Sequence, residues 1–250
     1  MSASTDIRSV RVIFARELTG YFSTPVAYVF LIVFLALLGA MTFEMGNFFS
    51  RGQADLNAFF VFHPWLYLFL MPAIAMRLWA EERKSGTVEL LFTLPVATWH
   101  AVLGKFLAAW VFAGIALALT FPIWITVNYL GEPDNGPILA SYIGSFLMAG
   151  AYLAIGSCIS ATTKNQIIAF VLAAVLCFLF TLGGTNVVLS NIQGILPQAL
   201  VELIGSFSVL NHFNEIRQGV IDLTDLIYFF SVMGVFLFAT VLVLDLKKGQ

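Results

Sequence analysis

The stretch Glu81-Glu82-Arg83-Lys84-Ser85-Gly86-Thr87-Val88-Glu89-Leu90-Leu91-Phe92-Thr93-Leu94-Pro95 concentrates charge in a chain that has little. It separates two long apolar runs, on the side where lysine and arginine gather. Of the 250 residues, 60% are apolar and 10% charged, and the mean hydropathy is +0.94. A soluble domain of this size would need far more charge to cover its surface, so the solvent for most of this chain is a bilayer. The formal charge of −2 gives no case for nucleic-acid binding. Met1–Ser9 is polar and no small-residue cleavage pattern follows the first apolar run, so no removable leader is expected.

A helix spanning the hydrocarbon takes about 20 apolar residues. The stretches that qualify are Pro25–Phe43, Phe59–Ala80, Ala101–Tyr129, Ile138–Ser160, Gln166–Val188 and Leu226–Leu244. The expected fold is an all-α integral membrane protein with six transmembrane helices, residues 25–250 forming one domain. Pro64, Pro72 and Pro122 are expected to kink the second and third spans. With the N-terminus in the cytoplasm, Arg8, Arg11, Arg16, Arg77, Arg83, Lys84, Lys105, Lys164, Lys247 and Lys248 lie inside, and only Arg51 and Arg217 outside. That asymmetry follows the positive-inside rule and puts both termini in the cytoplasm.

Three segments do not read as simple spans. In residues 1–24, Ile7, Val10, Phe14, Leu18 and Tyr21 recur at helical spacing, with Arg8, Arg11 and Glu17 largely off the stripe. This is the pattern of an amphipathic helix lying in the headgroup layer. In residues 81–95, Gly86 should end the helix of the second span, Thr87 can cap a new short helix, and Glu89 suits its first turn. Pro95 closes it, and Leu90, Leu91 and Leu94 give it an apolar side that needs a membrane surface or a protein groove. Residues 189–225 are too apolar for a loop and too broken to span. Limbs such as Gln198–Ile204 and Ser208–Gln218 fit a re-entrant helical pair on the outer side. Glu202, Asn211, Asn214, Glu215 and Arg217 gather there as candidates for an exit path, against a plainer reading as caps and local ion pairs such as Glu215 with Arg217.

The chemistry that is missing narrows the function. The Gly104-Lys105 pair is followed by Phe106 and is no phosphate-binding loop, so the chain has no ATP site of its own. His63, His100 and His212 are far apart and lack zinc-ligand spacing, and no metal or other cofactor is expected. His63 reads as an interfacial or packed residue. Cys158 and Cys177 fall within apolar stretches, as small buried side chains do. No nucleophile elbow suggests serine chemistry, which leaves an intramembrane enzyme without support. Few carboxylates fall within the spans, which weakens a proton-coupled carrier.

Glu81–Pro95 followed by Val102-Leu103-Gly104-Lys105, with a second, weaker match at Phe213–Asp222, resembles the permease subunits of ABC-2 type transporters. Within that family the chain looks most like the gliding-motility-associated permeases, and more distantly like the copper- and nitrous-oxide-associated ones. The resemblance implies an exporter permease in a bacterial inner membrane, paired with a second permease copy (a homodimer) or a related permease, and with a cytoplasmic dimer of ABC ATPase subunits that binds the ATP and Mg. It implies that residues 81–95 hold the coupling helix. Leu90 and Leu91 would pack in an ATPase groove, with Glu81, Glu82, Arg83 and Glu89 around them and Gly86, Thr87 and Pro95 framing the turn. By the same analogy the first and fifth spans form the dimer seam, and a membrane protein with a large periplasmic domain is a further partner. The alternative is a mechanotransmitter or assembly scaffold that passes ATP-driven motion to that partner and moves no small molecule.

Overall fold

The computed structural model describes residues 3–88, 97–185, 188–190 and 197–247, and among them all regular structure is helical. In chain order the elements are α1 (Ala3–Phe22), α2 (Pro25–Ala40, continued by a π turn Met41–Met45), α3 (Asn57–Phe60), α4 (His63–Ala75) and α5 (Arg77–Ser85). They continue with α6 (Thr98–Ala118), α7 (Phe121–Leu130), α8 (Asn135–Thr162) and α9 (Gln166–Leu182), then α10 (Gln198–Ser206), α11 (Val209–Arg217) and α12 (Leu223–Leu246).

Five helical stretches of the described residues are long and apolar enough to cross a membrane: Pro25–Met45, Asn57–Ser85, Thr98–Leu130, Asn135–Thr162 and Leu223–Leu246. The chain is therefore a multi-pass helical membrane protein. The fifth of the six expected spans is α9, which ends at Leu182 rather than Val188 and has 17 residues. At 1.5 Å per residue its rise is about 25 Å, short of the hydrocarbon thickness.

Prolines shape the second and third spans differently from simple kinks. Pro64 and Pro122 stand in the first turns of α4 and α7, where a missing N–H costs nothing. The third span breaks at Leu119–Thr120, and the Thr120 hydroxyl donates to Leu117 O at 2.6 Å across the break. Of the three, Pro72 is the one in a helix interior, in α4.

The centre of the molecule is α8. Of its apolar window 78% is buried, against 28% for the first span and 22% for α12, so α8 is wrapped by protein while the first span and α12 lie mostly open at the outside. Glycines let its neighbours close in: a Cβ at Gly150 would stand 2.7 Å from Met233 Sδ and 2.8 Å from Trp110 Nε1, and one at Gly156 would collide with Ala75 Cβ. Trp110 uses that approach to donate its Nε1–H to Phe146 O at 2.8 Å. Small residues at such contacts supply the dispersion that holds helices together where no hydrophobic drive exists between them.

His63 is fully buried, edge-on to Phe34 and Phe59, with Nδ1 3.2 Å from Phe59 O, as a packed residue is. Cys158 and Cys177 are both free thiols. α1 lies against α6: Ile13, off the stripe expected from spacing, is the buried residue, resting on Gly104, while Ile7 is exposed. Tyr21 stacks on Phe112 with centroids 5.0 Å apart. The amphipathic helix thus spends part of its apolar face on the third span.

Candidate functional site

The charges of the Glu81–Pro95 stretch begin as the last turn of a helix. Glu81, Glu82, Arg83 and Lys84 belong to α5, which carries on directly from the second span after a break at Met76. Gly86 ends it in the left-handed region, with φ at 75°, a conformation glycine adopts without strain. After it, helix resumes at Thr87 and Val88, and the Thr87 hydroxyl turns back to Glu82 O at 3.3 Å and meets Ser85 Oγ at 2.9 Å. Glu89, Leu90, Leu91 and Pro95 lie outside the described residues, and α6 takes up the chain at Thr98.

A break in a helix leaves its first N–H groups without intrahelical acceptors. Here they are answered from α8. The Ser160 hydroxyl accepts from Trp79 N at 3.1 Å and Ala80 N at 3.0 Å, and donates to Met76 O at 2.9 Å. Ser157 Oγ accepts from Trp79 Nε1 at 3.0 Å. The Arg83 guanidinium then donates to Ala161 O at 2.6 Å, satisfying a carbonyl at the end of α8. Lys247, just past α12, donates to Thr162 O at 2.7 Å in the same way. α5 is therefore fixed along its length to the C-terminal end of the central helix.

On the other side of α5 lies Lys105, two turns into α6 and 3% exposed. Its Nζ is 2.8 Å from Glu82 Oε1 and 3.1 Å from Glu17 Oε1, and sits 5.4 Å over the Trp79 ring. Arg16 adds a 2.7 Å contact to the same Glu17 oxygen. A buried ammonium stays charged only when it is paired, and here two carboxylates from different helices pair with it. Burial pushes the Glu17 carboxyl upward, but the Lys105 charge and the hydrogen bonds from Arg16 and Lys105 outweigh it and hold the group below its ordinary value. One lysine thus joins the N-terminal helix, the end of the second span and the start of the third.

Glu82 and Arg83, expected as part of a charged surround for a partner, are turned inward to Lys105 and Ala161. Glu81, Lys84, Ser85, Gly86 and Thr87 remain exposed. Sequence reasoning named Lys105 and Glu17 without pairing them, and did not single out Ser157 or Ser160. The Gly104-Lys105 pair was the available signal, since a lysine inside an apolar run requires a partner.

At the opposite end, the candidate exit-path residues separate. Asn211 Nδ2 donates to Gly184 O at 2.9 Å and to Gly205 O at 3.4 Å, and Ser208 Oγ donates to Thr181 O at 3.2 Å while capping α11. These bonds tie α11 to the end of α9. Arg217 forms no pair with Glu215; it lines a cavity of about 190 Å³ with Asp55 and Asp134, its Nε buried without a partner. Asn214 is half-buried and Glu215 exposed, and the Glu202 side chain lies outside what is described.

His212 Nδ1 is 2.6 Å from Asp225 Oδ1 and Nε2 is 3.0 Å from Ser206 O, while the ring stacks on Tyr228 at 4.0 Å between centroids. With Glu215 these groups offer ligand atoms within 4.8 Å of one another. The His212 bonds to Asp225 and to Ser206 O, with the ring stacked on Tyr228, form a clasp between α11 and α12.

A search of curated proteins finds no match to the chain. The family profile described as ABC-2 family transporter protein matches residues 26–246, from the start of the first span to the end of the last. The gathering of charge on one interhelical connection, the helical bundle and this match agree: the chain belongs to the ABC-2 transporter family, as a membrane permease subunit with no ATP site of its own.

Proposed function

We propose that this permease couples ATP hydrolysis by a separate cytoplasmic ATPase dimer to export across a bacterial inner membrane, with residues 81–95 as the coupling segment. The observation that carries the reading is Lys105 bonded at once to Glu82 and Glu17. The segment runs from α5 to α6, and that lysine locks the two helices flanking it into one unit with α1. A push on Leu90 and Leu91 is then delivered to the second and third spans together, and through Ser157, Ser160 and Arg83 to the central helix. A rigid-body tilt suits such a joined unit better than bending of one helix. Both termini are cytoplasmic in this reading, and the ATP and Mg belong to the partner. The closer kinship to gliding-motility-associated permeases, the pairing with a second copy and a partner with a large periplasmic domain belong to the same proposal.

The mechanotransmitter alternative draws on one feature: the centre of a single chain is filled by α8. A substrate path therefore has to run between two copies, and a closed seam there would leave only transmitted motion. The test is to purify the chain with the ATPase encoded beside it and measure ATP hydrolysis in lipid nanodiscs for wild type and Leu90→Asp/Leu91→Asp. Loss of the complex, or of stimulated hydrolysis, in the double variant supports the coupling role. Assembly and turnover equal to wild type overturn it.

A further inference from the structure

The turn between α8 and α9 sits at the same charged end as α5. It opens a cavity of about 470 Å³ lined by Lys84, Thr163, Lys164, Asn165, Gln166 and Ile167. Arg83 and Lys247 reach the carbonyls of Ala161 and Thr162, immediately before this turn. Burial, with Arg83 and Lys164 nearby, lowers the Lys247 ammonium below the ordinary lysine value. Among the described residues, the ion pairs involve none of Arg83, Lys84, Lys164 and Lys247. Glu81, on α5 one turn before Lys84, is the exposed carboxylate nearest in sequence. Positive charge from Lys84 and Lys164 therefore lines a concave site, beside main-chain carbonyls already met by Arg83 and Lys247.

The start of α9 does not supply the anion-binding groups itself. Asn165 Oδ1 already accepts from Ile167 N at 2.9 Å and from Ile168 N at 3.4 Å. What α9 supplies is apolar surface. Ile167, at the lip of the cavity, is 72% exposed, and Ile168, Val171 and Val175 continue an exposed stripe down the helix. A ligand matched to both halves has an anionic head and long apolar tails. Basic pockets beside membrane helices hold such headgroups by charge, while the tails remain in the hydrocarbon.

We propose that this cavity is a discrete site for an anionic phospholipid, with Lys84 and Lys164 at its phosphate and the exposed face of α9 along its acyl chains. The site rests on the membrane-spanning fold and not on the ATPase reading, so either can fail without the other. The shared chemistry with a free phosphate ion is the phosphate group; the apolar stripe below it selects the lipid.

The test is native mass spectrometry of the detergent-purified chain titrated with phosphatidylglycerol or phosphatidylcholine. Wild type should retain one phosphatidylglycerol per chain under conditions that strip phosphatidylcholine. Lys84→Gln/Lys164→Gln should weaken that retention about tenfold, given the attraction of each lysine to an anionic lipid. Lys84→Arg/Lys164→Arg should keep it, which separates loss of charge from loss of fold. Arg8→Gln, which removes an exposed charge elsewhere on the same side, should leave retention unchanged. Equal retention of both lipids, full retention by the glutamine variant, or equal loss in Arg8→Gln overturns the site. Displacement of phosphatidylglycerol by inorganic phosphate at matched concentration overturns the lipid as its ligand. A dimer that carries no phosphatidylglycerol assigns the α9 face to a second copy and overturns it as well.

Discussion

Lys105 Nζ lies 2.8 Å from Glu82 Oε1, so a salt bridge closes the gap between α5 and α6 across the connection that follows Gly86. The Lys105 side chain is 4% exposed and that of Glu82 23%, which places the pair where water screens it poorly. Removing one member of such a pair is costlier than removing both, because the survivor stays charged and unpaired. Lys105→Met is expected to destabilise the chain by about 3 kcal/mol. Lys105→Met/Glu82→Gln should recover part of that loss. Thermal unfolding of the detergent-solubilised protein reads the difference, and equal stability of single and double variants would remove the pair from the account.

The second partner of Lys105 brings a pH dependence. Glu17 has its folded carboxyl held below the ordinary value by Lys105 and Arg16, against the pull of burial. A depressed folded-state value means the stabilisation is fully present above the unfolded carboxylate value and disappears as pH falls through the folded one. Melting temperature should therefore be flat from neutral pH down to the ordinary carboxylate range and fall below it. In Glu17→Gln this acid-side component should be absent. An identical acid profile in the two proteins would sink the assignment.

Ser160 is a single hydroxyl serving two helices. It accepts from Trp79 N and Ala80 N at the start of α5 and donates to Met76 O at the end of the preceding turn. Ser160→Ala leaves two buried amide protons without acceptors, at a cost of about 2 kcal/mol. Ser160→Thr keeps the hydroxyl and should lose less. The order of melting temperatures, wild type, then threonine, then alanine, is the measurement.

Much of this was visible in the order of residues, and the reasons for the rest are physical. Run length located the first to fourth and the last spans, because hydrocarbon thickness leaves few ways to place so many apolar residues. For the fifth it placed the end at Val188, whereas α9 ends at Leu182 and the chain turns at Gly183 and Gly184. The expected limbs Gln198–Ile204 and Ser208–Gln218 correspond to α10 and α11, but α10 runs on through Gly205 and the break falls at Phe207. Charge drew attention to Glu82 and Arg83, but not to the direction they face. That is decided by Lys105 and by the carbonyls at the end of α8, which are distant in sequence and meet only when the helices pack.

The clasp at the opposite end can be opened one bond at a time. Asp225 is fully buried and accepts from His212, while Tyr228 donates to Phe207 O at 2.7 Å beneath the same ring. Asp225→Ala removes the acceptor of a charge-assisted bond and is expected to cost about 2 kcal/mol. Tyr228→Phe removes a neutral bond and keeps the ring stack, for about 1 kcal/mol. Hydrogen exchange should show the loss of protection concentrated in α11 and the first turn of α12. Protection lost evenly over the whole chain would mean that these residues support global packing and hold no local clasp.

Gly86 separates stability from geometry in the segment proposed to couple. Its φ of 75° lies in the left-handed region, yet a Cβ added there meets nothing within 4 Å, so substitution is opposed by backbone conformation alone. Gly86→Ala should cost about 1 kcal/mol, and Gly86→Asn less, because asparagine tolerates that region better. Neither change touches Lys105, Glu82 or the serines, so the joined unit of α1, α5 and α6 should survive. What changes is the angle at which the chain leaves α5 toward Leu90 and Leu91. If those leucines seat in an ATPase, Gly86→Ala should reduce stimulated ATP hydrolysis by much more than its small shift in melting temperature suggests, with Gly86→Asn between alanine and wild type. Hydrolysis that follows melting temperature alone across the three proteins would show that the exit angle at Gly86 carries no coupling.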